Sequence, residues 1–288
     1  MYTFRPYFGY TLCMKNKQFP IAILQGRLSP DVEARYQFFP KDGWRDEFKK
    51  AKEVGFDGIE WLVDPIGWEE NPIFSSLFDE AEDIVRSTLL PITSVCADWF
   101  MEVCIWEGEA EIHREKIRSI LSCVQRTKNK VLLIPLLEKH NISSVSIQKK
   151  IVDVLKPLAP ELEVAGVSIG FETELSAQEL MRFLQGFESD AFGVYYDIGN
   201  CTSYGFNCPE DIRVLENRIK GIHIKDRRVG TTTPVRLGDG DADFKGVIQA
   251  LTETDWTGTL VMQAWRGGQY VDDAREQLLY IRNIINQE

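Results

Sequence analysis

Asp197 and His223 are the residues from which a chemistry can first be built. The stretch from Gly193 to Asp226 reads GVYYDIGNCTSYGFNCPEDIRVLENRIKGIHIKD. It holds two short apolar strands, one ending at Asp197 and the other at His223, residues for which an apolar strand has no packing use. A turn at Gly199 and Asn200 and a short helical run lie between them, giving a strand–crossover–strand unit. A carboxylate and an imidazole at the same ends of neighbouring parallel strands would lie close together, a pairing that suits a divalent cation.

The elements that must position them can be read from the rest of the chain. Apolar strands are expected at 21–24, 58–62, 92–97, 131–137, 167–171, 193–196, 219–224 and 259–262. Amphipathic helices are expected at 42–54, 75–89, 109–127, 144–165, 177–187, 209–217, 244–253 and 272–285, with Pro157 and Pro160 breaking or kinking the fourth. Strict strand–helix alternation implies parallel strands joined by right-handed crossovers. Eight units over this length fit an α/β (β/α)8 barrel better than an open doubly wound sheet. No Gly-x-Gly-x-x-Gly fingerprint follows an early strand, which argues against a dinucleotide fold. Residues 20–288 read as a single barrel domain. Residues 1–19 read as an N-terminal extension without fixed order, or a translation-start artefact ahead of Met14.

In such a barrel the chemistry sits at the C-terminal strand ends, and alternate side chains face the axis and the helices. Ile169 and Phe171, Val194 and Tyr196, Ile222 and Ile224, and Leu260 and Met262 should face the helices. That aims Glu172, Asp197, His223 and Gln263 inward from four consecutive strands, with Tyr195 and Lys225 also pointing in. Two carboxylates and an imidazole suit one divalent metal ion, Mn²⁺, Co²⁺, Zn²⁺ or Mg²⁺, with water or substrate completing the shell. Glu60, Asp98, Glu138 and His140 close strands two to four and are candidate sugar contacts or acid/base groups. Lys225, Arg227 and Arg27 are candidates for an oxyanion or phosphate. His113 lies in a charged helix and should be solvated, and Trp61 should pack between barrel and helices. The Gly-Asp-Gly-Asp-Ala-Asp segment at 238–243 lacks the glutamate of a calcium loop and should cap the helix beginning at Phe244.

These motifs resemble the sugar phosphate isomerase/epimerase family, the xylose isomerase-like barrels that include L-ribulose-5-phosphate 3-epimerases and ketose 3-epimerases. The resemblance rests on Glu172 in the fifth strand, Asp-Ile-Gly-Asn at 197–200, His-Ile-Lys-Asp at 223–226 and Gly-Asp-Gly-Asp-Ala-Asp-Phe at 238–244, and it runs along the chain from residue 20. It implies a metal held by Glu172, Asp197, His223 and a last-strand glutamate, and epimerisation through an enediolate by two glutamates on opposite faces. The chain departs from the pattern at Gln263, where the family carries Glu. An amide oxygen can touch a metal but cannot take up a proton near neutral pH.

Three consequences follow, in order of preference. A one-base isomerisation or elimination persists through Glu172; or Glu60, Asp98, Glu138 or His140 replaces the second base; or the barrel binds sugar or metal without turnover. A related nuclease of the endonuclease IV type needs many histidines, and the chain has 3. With 44 acidic against 33 basic residues and a net charge of −11, the chain is also unsuited to nucleic acid or an anionic membrane. Six cysteines without a Cys-x-x-Cys pair read as free thiols of a cytoplasmic protein. The partner expected is a small carbohydrate, and self-association is compatible with the reading.

Overall fold

The apolar strands turn inward on one another and close. The computed structural model describes residues 19–30, 35, 37–75, 77–263 and 265–287. β1 (Ile21–Leu24), β2 (Gly58–Leu62), β3 (Ile92–Cys96), β4 (Val131–Leu136), β5 (Ser168–Thr173), β6 (Phe192–Asp197) and β7 (Ile219–Ile224) belong to the barrel. A hairpin of β8 (Asp226–Arg227) and β9 (Pro234–Val235) follows, and β10 (Leu260–Met262) completes the ring. The order β1-β10-β7-β6-β5-β4-β3-β2 is a closed parallel barrel. The expected (β/α)8 architecture is therefore the one observed.

The surrounding helices are α1 (Trp44–Val54), α2 (Phe78–Thr88), α3 (Ala110–Arg126), α4 (Val145–Leu155), α5 (Ala159–Ala165), α6 (Ala177–Gln185), α7 (Ile198–Ser203), α8 (Cys208–Leu215), α9 (Phe244–Glu253) and α10 (Tyr270–Ile285). The fourth expected helix divides at a 3₁₀ turn, Lys156–Leu158, because Pro157 supplies no backbone N–H; Pro160 then sits in the first turn of α5, where none is needed.

Period-two alternation divides the core in two. Ala22, Leu24, Leu62, Cys96, Leu133, Tyr195 and Val261 fill the barrel axis. Ile169, Phe171, Val194, Tyr196, Ile222, Ile224, Leu260 and Met262 join the larger shell between barrel and helices. Phe171 anchors that shell, with the rings of Phe183 and Phe187 centred 5.3 and 5.4 Å away. Trp61 lies there too, bracketed by Trp44 and Phe48. Burying each such ring contributes roughly 2–3 kcal/mol.

Three sequence expectations are corrected. The region at Gly199 and Asn200 is the short helix α7 rather than a bare turn. The Asp197 carboxylate caps it by accepting from Asn200 N at 2.7 Å, and Gly199 lets it lie against Lys225, whose carbonyl would be 2.9 Å from a Cβ there. His113 is buried rather than solvated, because its Nε2 is hydrogen-bonded to the Glu107 carbonyl oxygen at 2.5 Å. Phe19, grouped by sequence with the extension, is buried with its ring 6.1 Å from that of Trp256. The rest of the proposed extension lies outside the described residues, as does Cys13. The other five cysteines are free thiols. Among the described residues no helix is long and apolar enough to cross a membrane.

Tyr195 occupies the axis because its neighbours give way. A Cβ on Gly221 would overlap the Tyr195 ring, and one on Gly170 would stand 3.2 Å from Tyr195 Cβ. Gly221→Ala should therefore destabilise the barrel by about 1–3 kcal/mol through overpacking. In denaturant titrations this cost should largely vanish in a Tyr195→Ala background. An equal cost in both backgrounds would refute the steric assignment.

Candidate active site

Glu172, Asp197 and His223 converge at the C-terminal mouth of the barrel. Their parity places them on the axis side, and Asp197 pairs directly with His223 across β6 and β7. One donor atom from each lies within 4.8 Å of those of the others, and all three residues are buried. His223 Nδ1 faces Glu172 Oε2 and Asp197 Oδ2, both at 3.8 Å, too far for a hydrogen bond. It is a buried nitrogen with no hydrogen-bond partner. A buried imidazole nitrogen flanked by two carboxylates is a donor set that fits a divalent metal.

The other face of the imidazole is fully engaged. His223 Nε2 lies 2.7 Å from Glu60 Oε1. Glu60 is completely buried, and its Oε2 accepts from Ser94 Oγ and Tyr195 OH, each at 2.5 Å. Proximity to Glu60 makes Nε2 the protonated nitrogen and leaves Nδ1 free for a metal. Burial opposes charge on this ring, but Glu60, then Glu172 and Asp197, outweigh it and hold His223 above its ordinary pKa. Glu60, expected from sequence as a sugar contact or acid/base group, has both oxygens engaged, by His223, Ser94 and Tyr195.

The remaining polar groups form one chain of contacts. Glu172 Oε1 accepts from Asn200 Nδ2 at 2.7 Å. Lys225 Nζ donates to Gln263 Oε1 at 3.0 Å and Asn200 Oδ1 at 3.3 Å, and lies 3.5 Å from Asp197 Oδ2. Gln263 Nε2 donates to Gln37 Oε1 at 2.7 Å, and Gln37 Nε2 donates to Asp98 Oδ1 at 2.8 Å. Burial and the Asp197 charge push Glu172 up to about 7. Asp197 is itself penalised by burial, but Lys225, His223 and the Asn200 N–H outweigh that and hold it low. Two carboxylates side by side are thus shifted in opposite directions.

Other expected residues lie elsewhere. Glu138 is exposed on a 3₁₀ turn, and its backbone N–H donates to Glu174. His140 is tied by Nδ1 to the Phe100 carbonyl oxygen at 2.9 Å and meets Trp106 edge-on. Neither joins the polar chain. Arg227 is half-buried in the β8–β9 hairpin, while Arg27 is buried and contacts Gln37. Asp226, ending the His-Ile-Lys-Asp motif, organises the loop ahead by accepting from Gly238, Gly240 and Ala242 N–H groups. Asp243 caps α9 as expected, accepting from Gly246 N.

Sequence reasoning missed Gln37 and Ser94. Ser94 carries only a weak signal, inward parity next to Glu60. Gln37 lies in an irregular loop with no periodicity to mark it.

A closed parallel barrel with a carboxylate–imidazole cluster at its C-terminal mouth defines the class as a (β/α)8 barrel whose mouth carries three residues that could hold a metal ion. The xylose isomerase-like TIM barrel family model matches residues 48–284, and the chain belongs to that family. Among curated proteins it is 19% identical over 268 residues to the L-ribulose-5-phosphate 3-epimerase UlaE of Escherichia coli O1:K1 / APEC, covering 88% of this chain and 89% of that one. Among solved structures it resembles a D-allulose 3-epimerase from Methylomonas sp., at TM-score 0.72 and 16% identity, covering 93% and 98% of the two chains. It also resembles the IOLI protein with a binding zinc atom, at TM-score 0.71 and 18% identity, with the same coverages. That curated relative is, by its name, a sugar phosphate epimerase.

Asp98 provides a test that leaves the metal cluster aside. Burial and the nearby Asp64 charge raise it from 3.8 to about 7, against the pull of Arg35. A carboxyl raised on folding contributes stability that is full below its unfolded pKa and lost as pH rises through the folded one. The stability of wild type relative to Asp98→Asn should therefore fall by about 4 kcal/mol between pH 3.5 and pH 8. Parallel urea titrations across that range would show it, and a pH-independent difference would contradict it.

Proposed function

We propose that the protein is a metal-dependent isomerase or epimerase of a small sugar, sugar phosphate or cyclitol ketone, working through an enediolate. The observation that carries this reading is the unpartnered Nδ1 of His223 facing Glu172 and Asp197. These three residues would hold one divalent ion. When bound, the ion supplies polarisation of a carbonyl and its neighbouring hydroxyl, which acidifies the α C–H bond.

Glu172 is the proton carrier. It takes the α-proton as the C–H bond breaks and returns it to the adjacent carbon, from the same face, while the hydroxyl proton passes to the former carbonyl oxygen, completing an aldose–ketose exchange. Asn200 fixes one of its oxygens and leaves the other toward the cluster. Gln263, held between Lys225 and Gln37, orients and does not exchange protons. This supports a one-base reaction. A two-base reading has its own observation, the raised pKa of Asp98 and its connection through Gln37 to Gln263. Gln263→Glu, which supplies the last-strand carboxylate that the resemblance implies, should add 3-epimerase activity measurable on a ketose panel.

Two experiments test this. Incubation with a panel of ketoses in D₂O should give deuterium α to the carbonyl, and Glu172→Gln should lower that exchange by about 10²–10⁴-fold. Sugar binding without exchange across the panel would instead establish a non-catalytic binder. Separately, Glu60→Gln should weaken Mn²⁺ or Zn²⁺ binding about 10–100-fold in calorimetric titration, since it alters the group that orients His223. Unchanged affinity would detach Glu60 from the metal.

A further inference from the structure

The opposite end of the barrel contains a second polar cavity. It has a volume of about 350 Å³ and lies among the N-terminal ends of β3, β4, β7 and β10, far from the strand ends that carry Glu172 and Asp197. Lys128, Lys130 and Lys220 line it, and none of its twelve lining residues is acidic. In a chain with 44 acidic and 33 basic residues, three lysines lining one acid-free cavity are a local inversion of charge. We infer that this cavity binds a small multivalent oxyanion of the phosphate class.

The lysines are placed by packing rather than by ion pairs. The Asn129 side chain is buried, donating to Thr127 Oγ1 at 2.6 Å and accepting from Val131 N at 3.2 Å, which fixes the turn with a lysine on either side. Among the described residues neither Lys128 nor Lys130 has a carboxylate partner. The stem of Lys220 lies where a Gly193 side chain would be, since a Cβ there would stand 2.6 Å from Lys220 Cε. Its Nζ donates to the Asn217 carbonyl oxygen at 3.3 Å and keeps further N–H donors. Asp190, the carboxylate acting on Lys220, is itself held by Arg218 at 2.6 Å.

The rest of the wall suits an oxyanion. Thr93 and Thr259 line the cavity as well, and the buried Ser94 and Tyr195 close the inner end. Gly221, against the Tyr195 ring, and Gly258 complete the lining. The volume accommodates phosphate and a small phosphate monoester. The segment before Phe19 carries Arg5, Lys15 and Lys17 and no acidic side chain, so it brings no counter-charge. Three ammonium groups around one cavity are an attractive field for a dianion.

The test is a calorimetric titration of the full-length protein with inorganic phosphate, in low-salt buffer free of other oxyanions. Wild type should show one saturable site. Lys128→Ala/Lys130→Ala/Lys220→Ala should weaken it by at least about tenfold. Lys130→Glu alone, at an exposed position with no partner to lose, should also weaken it by several-fold and guards against misfolding of the triple variant. Absence of saturable binding, or binding that survives both variants because it occurs at the opposite mouth, would overturn the inference.

Discussion

The imidazole of His223 is the constraint on which the site depends. It is fully buried in the barrel, where an unsatisfied nitrogen or an unpaired charge is costly. Its Nε2 meets that cost through Glu60, which relies in turn on Ser94 and Tyr195. Tyr195 reaches the axis only because Gly170 and Gly221 carry no side chains. The two glycines, the tyrosine, the serine and the carboxylate thus hold one nitrogen and leave the other free. That directional asymmetry distinguishes a ligand-ready histidine from a merely satisfied core histidine.

Charge balance at the mouth follows from the same burial. Glu60, Glu172 and Asp197 stand against Lys225 and His223 in a region with little access to water. Lys225 and the Asn200 N–H secure Asp197 as the anion, and the penalty of a second buried charge beside it falls on Glu172. An amide at 263 avoids adding one more carboxylate to this set and gives Lys225 an acceptor. The same substitution removes a proton acceptor from the last strand.

The barrel has two polar ends with opposite character. The C-terminal mouth gathers carboxylates around an imidazole, and the N-terminal mouth gathers lysines around a cavity without acids. Tyr195 lies between them, closing the inner end of one and bracing Glu60 for the other. Parallel strands make this separation natural, because all their C-terminal ends emerge on one face and all their N-terminal ends on the other.

How much of this was legible in the sequence depends on the range of each signal. Strand alternation is local, so the inward parity of Glu172, Asp197, His223 and Gln263 could be read from neighbouring apolar residues. Capping is local too, which is why Asp243 could be assigned to α9. Glu60 was recognisable as an inward acid but not as the partner of His223, since 163 positions separate them in the chain. Gln37 and Gln263 are 226 positions apart and meet only because β1 and β10 close the ring. Lys128 and Lys130 share a cavity with Lys220 for the same reason. The sequence by itself determined which side chains point inward, because that follows from a period of two along each strand. Barrel closure decided which of them touch, because contact across the axis joins residues that no local pattern relates.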